Sequence, residues 1–238
     1  MKNFKNLKKA LIILFVLAGM FACSDDDNSV PFKVFGDVYV IKRIVDNEAK
    51  YAIAYAAHGN QPMSVAKVSL PQGSELTLTP TDASMRIWNN IPAKEVYTNI
   101  IPAENNYQFL VVNEDINHQA TDLLTFDNID TTIIKSVSFV TEGLSIEWES
   151  NPFGEGYRVL LINSAGQLAF RSLPLLEIQK QLIFNHPTAS GTWYETPSAG
   201  KSYTIELHTY RYEDDATESE YDHEIQEINV SESDIIWQ

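Results

Sequence analysis

Apolar positions along this chain recur with a period of two rather than three to four. Val38–Val45 is a run of β-branched and aromatic residues, Asp46-Asn47-Glu48 supplies turn chemistry, and Lys50–Ala57 returns with alternating character. The same strand signature recurs at Ser64–Leu70, Ser74–Thr79, Tyr107–Val112, Ile133–Val140, Leu144–Trp148, Tyr157–Ile162 and Ser202–Tyr210. Each run is short and bounded by Gly, Pro, Asn or Asp. Pro174–Asn185 comes nearest to a helical spacing, but Leu176, Ile178, Leu182 and Phe184 alternate equally well. Many short strands with regular turns predict an all-β sandwich or barrel.

The pattern also repeats. VAKVSLPQGSELTLTP from Val65 parallels IKSVSFVTEGLSIEWES from Ile134, each reading strand, glycine turn, strand. AENNYQFLVV from Ala103 parallels AGKSYTIELH from Ala199 in the same order. Two similar β-sandwiches in tandem are expected: 34–131 with an extra hairpin at Phe35–Ala57, and 132–238. The boundary is expected between Phe126 and Lys135, at the Asp-rich stretch Asp127–Asp130.

In the second segment Leu144-x-Ile146-x-Trp148, Tyr157-x-Val159-x-Leu161 and Pro197-x-x-Gly200-x-x-Tyr203-x-Ile205-x-Leu207 resemble strands of fibronectin type III domains. The resemblance covers about residues 133–231. It implies an immunoglobulin-like sandwich in which Trp148, Val159 and Ile205 share the core face. It also implies that the Tyr203 hydroxyl returns to backbone. The connection Asn163–Trp193 is longer than that family has, and the first segment resembles it less.

The amino-terminal stretch reads differently. Lys2, Lys5, Lys8 and Lys9 precede the apolar run Ala10–Ala22, which is too short to cross a bilayer comfortably. Met20-Phe21-Ala22-Cys23 resembles the lipobox of bacterial lipoproteins, and Cys23 is the one cysteine of the chain. A thiol is the nucleophile that accepts a diacylglyceryl group, and several acyl chains give stable anchoring where one is marginal. Residues 1–22 are therefore expected to be a lipoprotein signal peptide, with 23–33 an acidic tether. Ser24, Asp25, Asp26 and Asp27 resemble the acidic export signal of Bacteroides-type surface lipoproteins. That implies a lipid-anchored, surface-exposed outer-membrane location.

Charge narrows the function. The formal net charge is −15, and removal of the four signal-peptide lysines would take it to −19. Such a surface does not suit nucleic acid. No cysteine beyond Cys23 is present for disulfides, and no HExxH, GxSxG or phosphate loop occurs. The five histidines, His58, His118, His186, His208 and His223, lack metal-ligand spacing. Glu147 and Glu149 flank Trp148 and are expected on the solvent face. No catalytic residue and no cofactor is expected.

Two features remain as binding candidates. Arg211–Glu224 is rich in carboxylates without a calcium-loop spacing and reads as a solvated hairpin. Trp193 and Tyr194, adjacent aromatics among turn residues, are candidate ligand contacts for a glycan. The expected role is structural, adhesive or ligand-binding at the cell surface, with the membrane, through lipid, and a protein or glycan as partners. The alternative is a glycan-binding accessory of an outer-membrane polysaccharide uptake system.

The lipidation reading has a direct check. Cys23→Ala is expected to abolish incorporation of labelled fatty acid and to release the chain from the membrane pellet. A variant that still labels and still pellets would contradict it.

Overall fold

The computed structural model describes residues 30–187, 190–214, 216 and 223–238. Cys23 and the run Ser24, Asp25, Asp26 and Asp27 lie outside the described residues. From Lys33 to Gln238 the chain forms one compact unit.

That unit is all β. Its strands are β1 (Val34–Val45), β2 (Glu48–Gly59), β3 (Val65–Ser69), β4 (Glu75–Thr77), β5 (Thr79–Pro80), β6 (Ile87–Asn90), β7 (Asn105–Asn113) and β8 (Ile116–Leu124). They continue with β9 (Ile134–Val140), β10 (Gly143–Trp148), β11 (Gly156–Asn163), β12 (Leu168–Ser172) and β13 (Leu175–Leu176). The last four are β14 (Gln181–Phe184), β15 (Gly191–Trp193), β16 (Ser202–Tyr212) and β17 (Ile225–Ile236). One turn of 3₁₀ helix spans Lys94–Val96.

The expected hairpin forms in full register from Val34↔Gly59 to Val45↔Glu48. Asp46 and Asn47 both take positive φ, as do Glu114 and Asp115 between β7 and β8. Two successive left-handed residues match the right-handed twist of the flanking strands, so each pair closes a tight hairpin.

The strands assemble into three sheets. A ten-stranded sheet runs β15-β12-β11-β16-β17-β1-β2-β6-β5, with β13 also pairing β11. A three-stranded sheet, β14-β10-β9, and a four-stranded sheet, β4-β3-β7-β8, cover one face of it.

Over the second segment the two sheets enclose one core. Leu144, Ile146 and Trp148 of β10 and Phe184 of β14 meet Tyr157, Val159 and Leu161 of β11 and Ile205 and Leu207 of β16. Trp148 is 1 % exposed. Tyr203 is buried, and its hydroxyl accepts a hydrogen bond from the Ser198 amide at 3.2 Å. The face alternation expected for this segment therefore holds, and so does the return of Tyr203 to backbone. Glu147 and Glu149 point to solvent, as expected. The long connection is ordered by pairing: β12 and β15 extend the long sheet, while β14 crosses to β10.

Over the first segment, β7 lies close on β1. A Cβ added to Gly36 would sit 2.1 Å from the Phe109 ring, so only glycine admits that ring. Tyr55 and Tyr107 meet across the sheets at 5.5 Å.

The repeat is reproduced in its hairpins but not in its pairing. β3 and β4 pair, as do β9 and β10. Yet β3 pairs β7 directly, whereas β16, the counterpart of β7, lies in the long sheet opposite β10. The expected boundary near 131/132 falls between the two short sheets. The long sheet crosses that boundary without a break, because β17 pairs in parallel with β1, from Val40↔Glu227 to Arg43↔Val230.

Truncating the largest buried side chain tests the second core. Trp148→Ala is expected to cost about 3–5 kcal/mol by lost transfer energy and an unfilled cavity. Urea denaturation of the two proteins measures it. A cost below about 1 kcal/mol would place Trp148 outside a packed interior.

Candidate interaction surface

The candidate surface is built on the central strands of the long sheet. In β1 the side chains alternate: Val38, Val40 and Lys42 point beneath the short sheets, while Tyr39, Ile41 and Arg43 point to the opposite, outer face. The alternation on β16 and β17 follows the same rule. Apolar burial continues on the outer face, where Tyr39, Ile41, Ala52, Ala54, Tyr97, Tyr210, Tyr212, Ile228 and Val230 form a second cluster.

A charged ladder borders that cluster. Arg43 binds Glu206 with both guanidinium nitrogens, at 2.9 and 3.2 Å, and also reaches Glu232. Lys94, from the 3₁₀ turn, lies 2.6 Å from Glu232, and His208 Nε2 lies 2.8 Å from Glu206. The Tyr97 ring sits under the Arg43 guanidinium at 5.7 Å. Burial alone would raise the Glu206 carboxyl. Hydrogen bonds from His208 and Arg43 outweigh burial and hold it at about 2. Lys42-Arg43 inside an otherwise apolar strand is the sequence feature that marks this ladder.

A polar seam lies on the inner face, between the two short sheets. Lys42 Nζ and Asn229 Nδ2 both donate to the Ile129 carbonyl, at 2.7 and 2.9 Å. The Ile129 amide donates to Glu227 Oε2 at 3.2 Å. Thr132 meets Thr209 at 2.6 Å and accepts on its carbonyl from Ser231, while Asn151 donates to the Asp130 carbonyl at 2.6 Å. Burial pushes Glu227 up to about 7, against the opposing pull of the Ile129 amide and Lys42. Asp37, near the start of β1, is raised as well, by burial and by Asp122 beside it.

The two candidate ligand contacts part company. Trp193 is half-buried, with its ring 4.6 Å from Phe170, 6.0 Å from Trp237 and 5.3 Å from His186. Its period-two position on β15 turns it toward the second core. Tyr194, one residue on, is 53 % exposed. Trp88, Trp148 and Trp237 are buried. Of the acidic stretch 211–224, the structure places Arg211 against Asp127, Glu155 and Asp214. Asp215 and residues 217–222 lie outside the described residues. Among the described residues no group of three or more His, Cys, Asp or Glu is placed to hold a metal ion.

The exposed apolar side chains were not anticipated from the sequence. Leu173, Leu176, Ile178 and Ile183 are exposed between β12 and the end of β14. Ile91, Val96, Ile100 and Ile101 are exposed in the connection between β6 and β7, where Ile100 reaches 76 %.

No protein family matches the chain, and no curated protein does. Among solved structures the chain is similar to a two-domain fibronectin type III segment of chicken tenascin. The identity is 12 %, over 77 % of this chain and 91 % of that one, with a TM-score of 0.28. It is also similar to a tetra-tandem repeat from the extending region of a large adhesion protein. There the identity is 11 %, over 86 % of this chain and 50 % of the other, with a TM-score of 0.26.

The charged ladder generates a stability test. Glu206 is held below its ordinary 4.5, so its contribution is present above that value and is lost as pH falls from 4.5 through about 2. Arg43→Met removes the two-point partner of the buried Glu206 carboxylate and leaves it to His208 at 2.8 Å, and is expected to cost up to about 3–5 kcal/mol at neutral pH. Arg43→Met with Glu206→Gln removes both charges and is expected to recover much of that loss. Chemical denaturation of the three proteins decides it, and a double variant no better than Arg43→Met would contradict the pairing.

Proposed function

We propose that the chain is a non-catalytic surface protein, lipid-anchored through Cys23, whose β-sandwich body serves a structural or adhesive role. The lipobox-like Met20–Cys23 and the acidic run Asp25–Asp27 support the anchor and the surface location. The observation that carries the adhesive reading is the distribution of exposed apolar side chains. They are mostly aliphatic, and the connections 91–101 and 173–183 carry several each, while Trp88, Trp148 and Trp237 are buried and Trp193 packs against the second core. Aliphatic patches bury well against another protein, whereas sugar rings are held by exposed aromatic planes and amides. The glycan-binding alternative has exposed Tyr194 in its favour.

Display on cells separates the two. Leu176→Glu with Ile178→Glu, both exposed positions, is expected to lower adhesion of displaying cells to protein-coated surfaces several-fold. The circular dichroism of the purified chain should stay unchanged. Unaltered adhesion, or polysaccharide binding by the wild type that disappears in Tyr194→Ala, would turn the reading toward glycan binding.

A further inference from the structure

The polar seam contains a carboxylate whose bonds are incomplete. Glu227 is fully buried on the inner face of β17. Its Oε2 accepts from the Ile129 amide, and its Oε1 has no hydrogen-bond partner. The segment 127–130 lies over it as a strap, held to the long sheet by Arg211 on Asp127, by Tyr51 on Asn128 and, at its centre, by the Ile129 peptide. The Ile129 carbonyl takes Lys42 and Asn229, and the Ile129 amide ends on Glu227. The strap, with Phe153 and Arg211, also lines a solvent-open cleft of about 270 Å³.

We propose that Glu227 is a proton-controlled latch: protonated, it keeps the strap 127–130 down on the seam, and ionised, it lets the strap lift and admits water to the buried carboxylate.

The charges facing Glu227 explain why ionisation is resisted. Lys42, from β1, directs its ammonium to the Ile129 carbonyl. Arg211, the paired position on β16, is engaged by Asp127, Glu155 and Asp214. Asp127 and Asp130, in the strap, add negative charge, and Tyr51, on β2, is neutral at physiological pH. The ionised form therefore keeps a buried oxygen without a donor, which costs free energy that water would restore once the strap lifts.

The direction with pH follows. Under the strap the carboxyl is raised to about 7, and in water it returns to its ordinary 4.5. The closed form is thus fully favoured below 4.5 and loses that advantage as pH rises through 7. Between pH 5 and pH 8 the opening constant is expected to rise on the order of 100-fold. The bonds from Lys42, Asn229 and Asn151 set a baseline that does not change with pH over that range.

Hydrogen exchange of the whole chain at pH 5, 6.5 and 8, corrected for intrinsic exchange, tests the latch. Protection of the Ile129 amide is expected to fall on the order of 100-fold from pH 5 to pH 8, while β10, β11 and β16 hold theirs. Glu227→Gln, which never ionises, is expected to keep the strap protected at every pH. The latch is refuted by equal pH dependence in Glu227→Gln, by pH-independent protection in the wild type, or by loss spread evenly over the core strands. Should Glu227→Gln fail to fold, ¹³C titration of the Glu227 carboxyl in the unaltered chain gives the same decision. A midpoint near neutrality that tracks strap opening supports the latch, and one in the ordinary glutamate range overturns it.

Discussion

The parallel pairing of β1 with β17 is the constraint on which the rest of the architecture depends. It joins the first described strand to the last and makes one ten-stranded sheet from two halves that each carry a short covering sheet. The loop closed by this pairing runs through nearly the whole folded unit. Its entropy must be offset by contacts that exist only when both halves are in place. The halves therefore share strands at their junction, which a flexible linker between two sandwiches would not require. Ile129, Thr132 and Asn151 serve the same junction from the covering side.

Buried polar groups flank that pairing on both faces of the sheet. The two faces handle buried charge in opposite ways. On the outer face Arg43 delivers a two-point contact to Glu206, and the carboxylate is stabilised as an anion. On the inner face Lys42 spends its ammonium on a backbone carbonyl, and Glu227 is met by backbone amides of the strap, with no charged donor on it. The same residue type, on neighbouring strands of one sheet, is thus pushed down in one place and up in the other. Charged donors make the difference: His208 and the forked guanidinium of Arg43 both bind Glu206, whereas Lys42 is turned to a carbonyl. One side of the junction is rigidly neutralised. The other carries the proton-dependent strap.

Local alternation made much of the fold legible. β1 and β2, the hairpin β9–β10, β11 and β16 all follow from period-two runs bounded by turn residues, and the packing roles of Trp148 and Tyr203 follow with them. β17 was not legible. In Glu227–Ser231 apolar and polar residues alternate, but the polar set, Glu227, Asn229 and Ser231, is buried on the inner face while Ile228 and Val230 join the outer cluster, the reverse of an ordinary half-buried strand. Long-range pairing hides in the same way, because nothing near Val40 states that Glu227 lies beside it. A repeated hairpin motif likewise records local geometry and says nothing about which sheet its neighbours join. Of the candidate contacts, Trp193 ends β15 and Tyr194 follows it directly. That single step separates a ring packed against the core from one in solvent. The exposed isoleucines and leucines of the connections were invisible because a lone apolar residue in a loop carries no periodic signature.

The central claim is that the two halves form one cooperative unit through the shared sheet. Differential scanning calorimetry of the soluble chain beginning near Val30 tests it most directly. A single transition is expected, with the calorimetric enthalpy equal to the van't Hoff enthalpy. Two resolved transitions, each with the enthalpy of about half the chain, would contradict the account and return the molecule to two independent sandwiches.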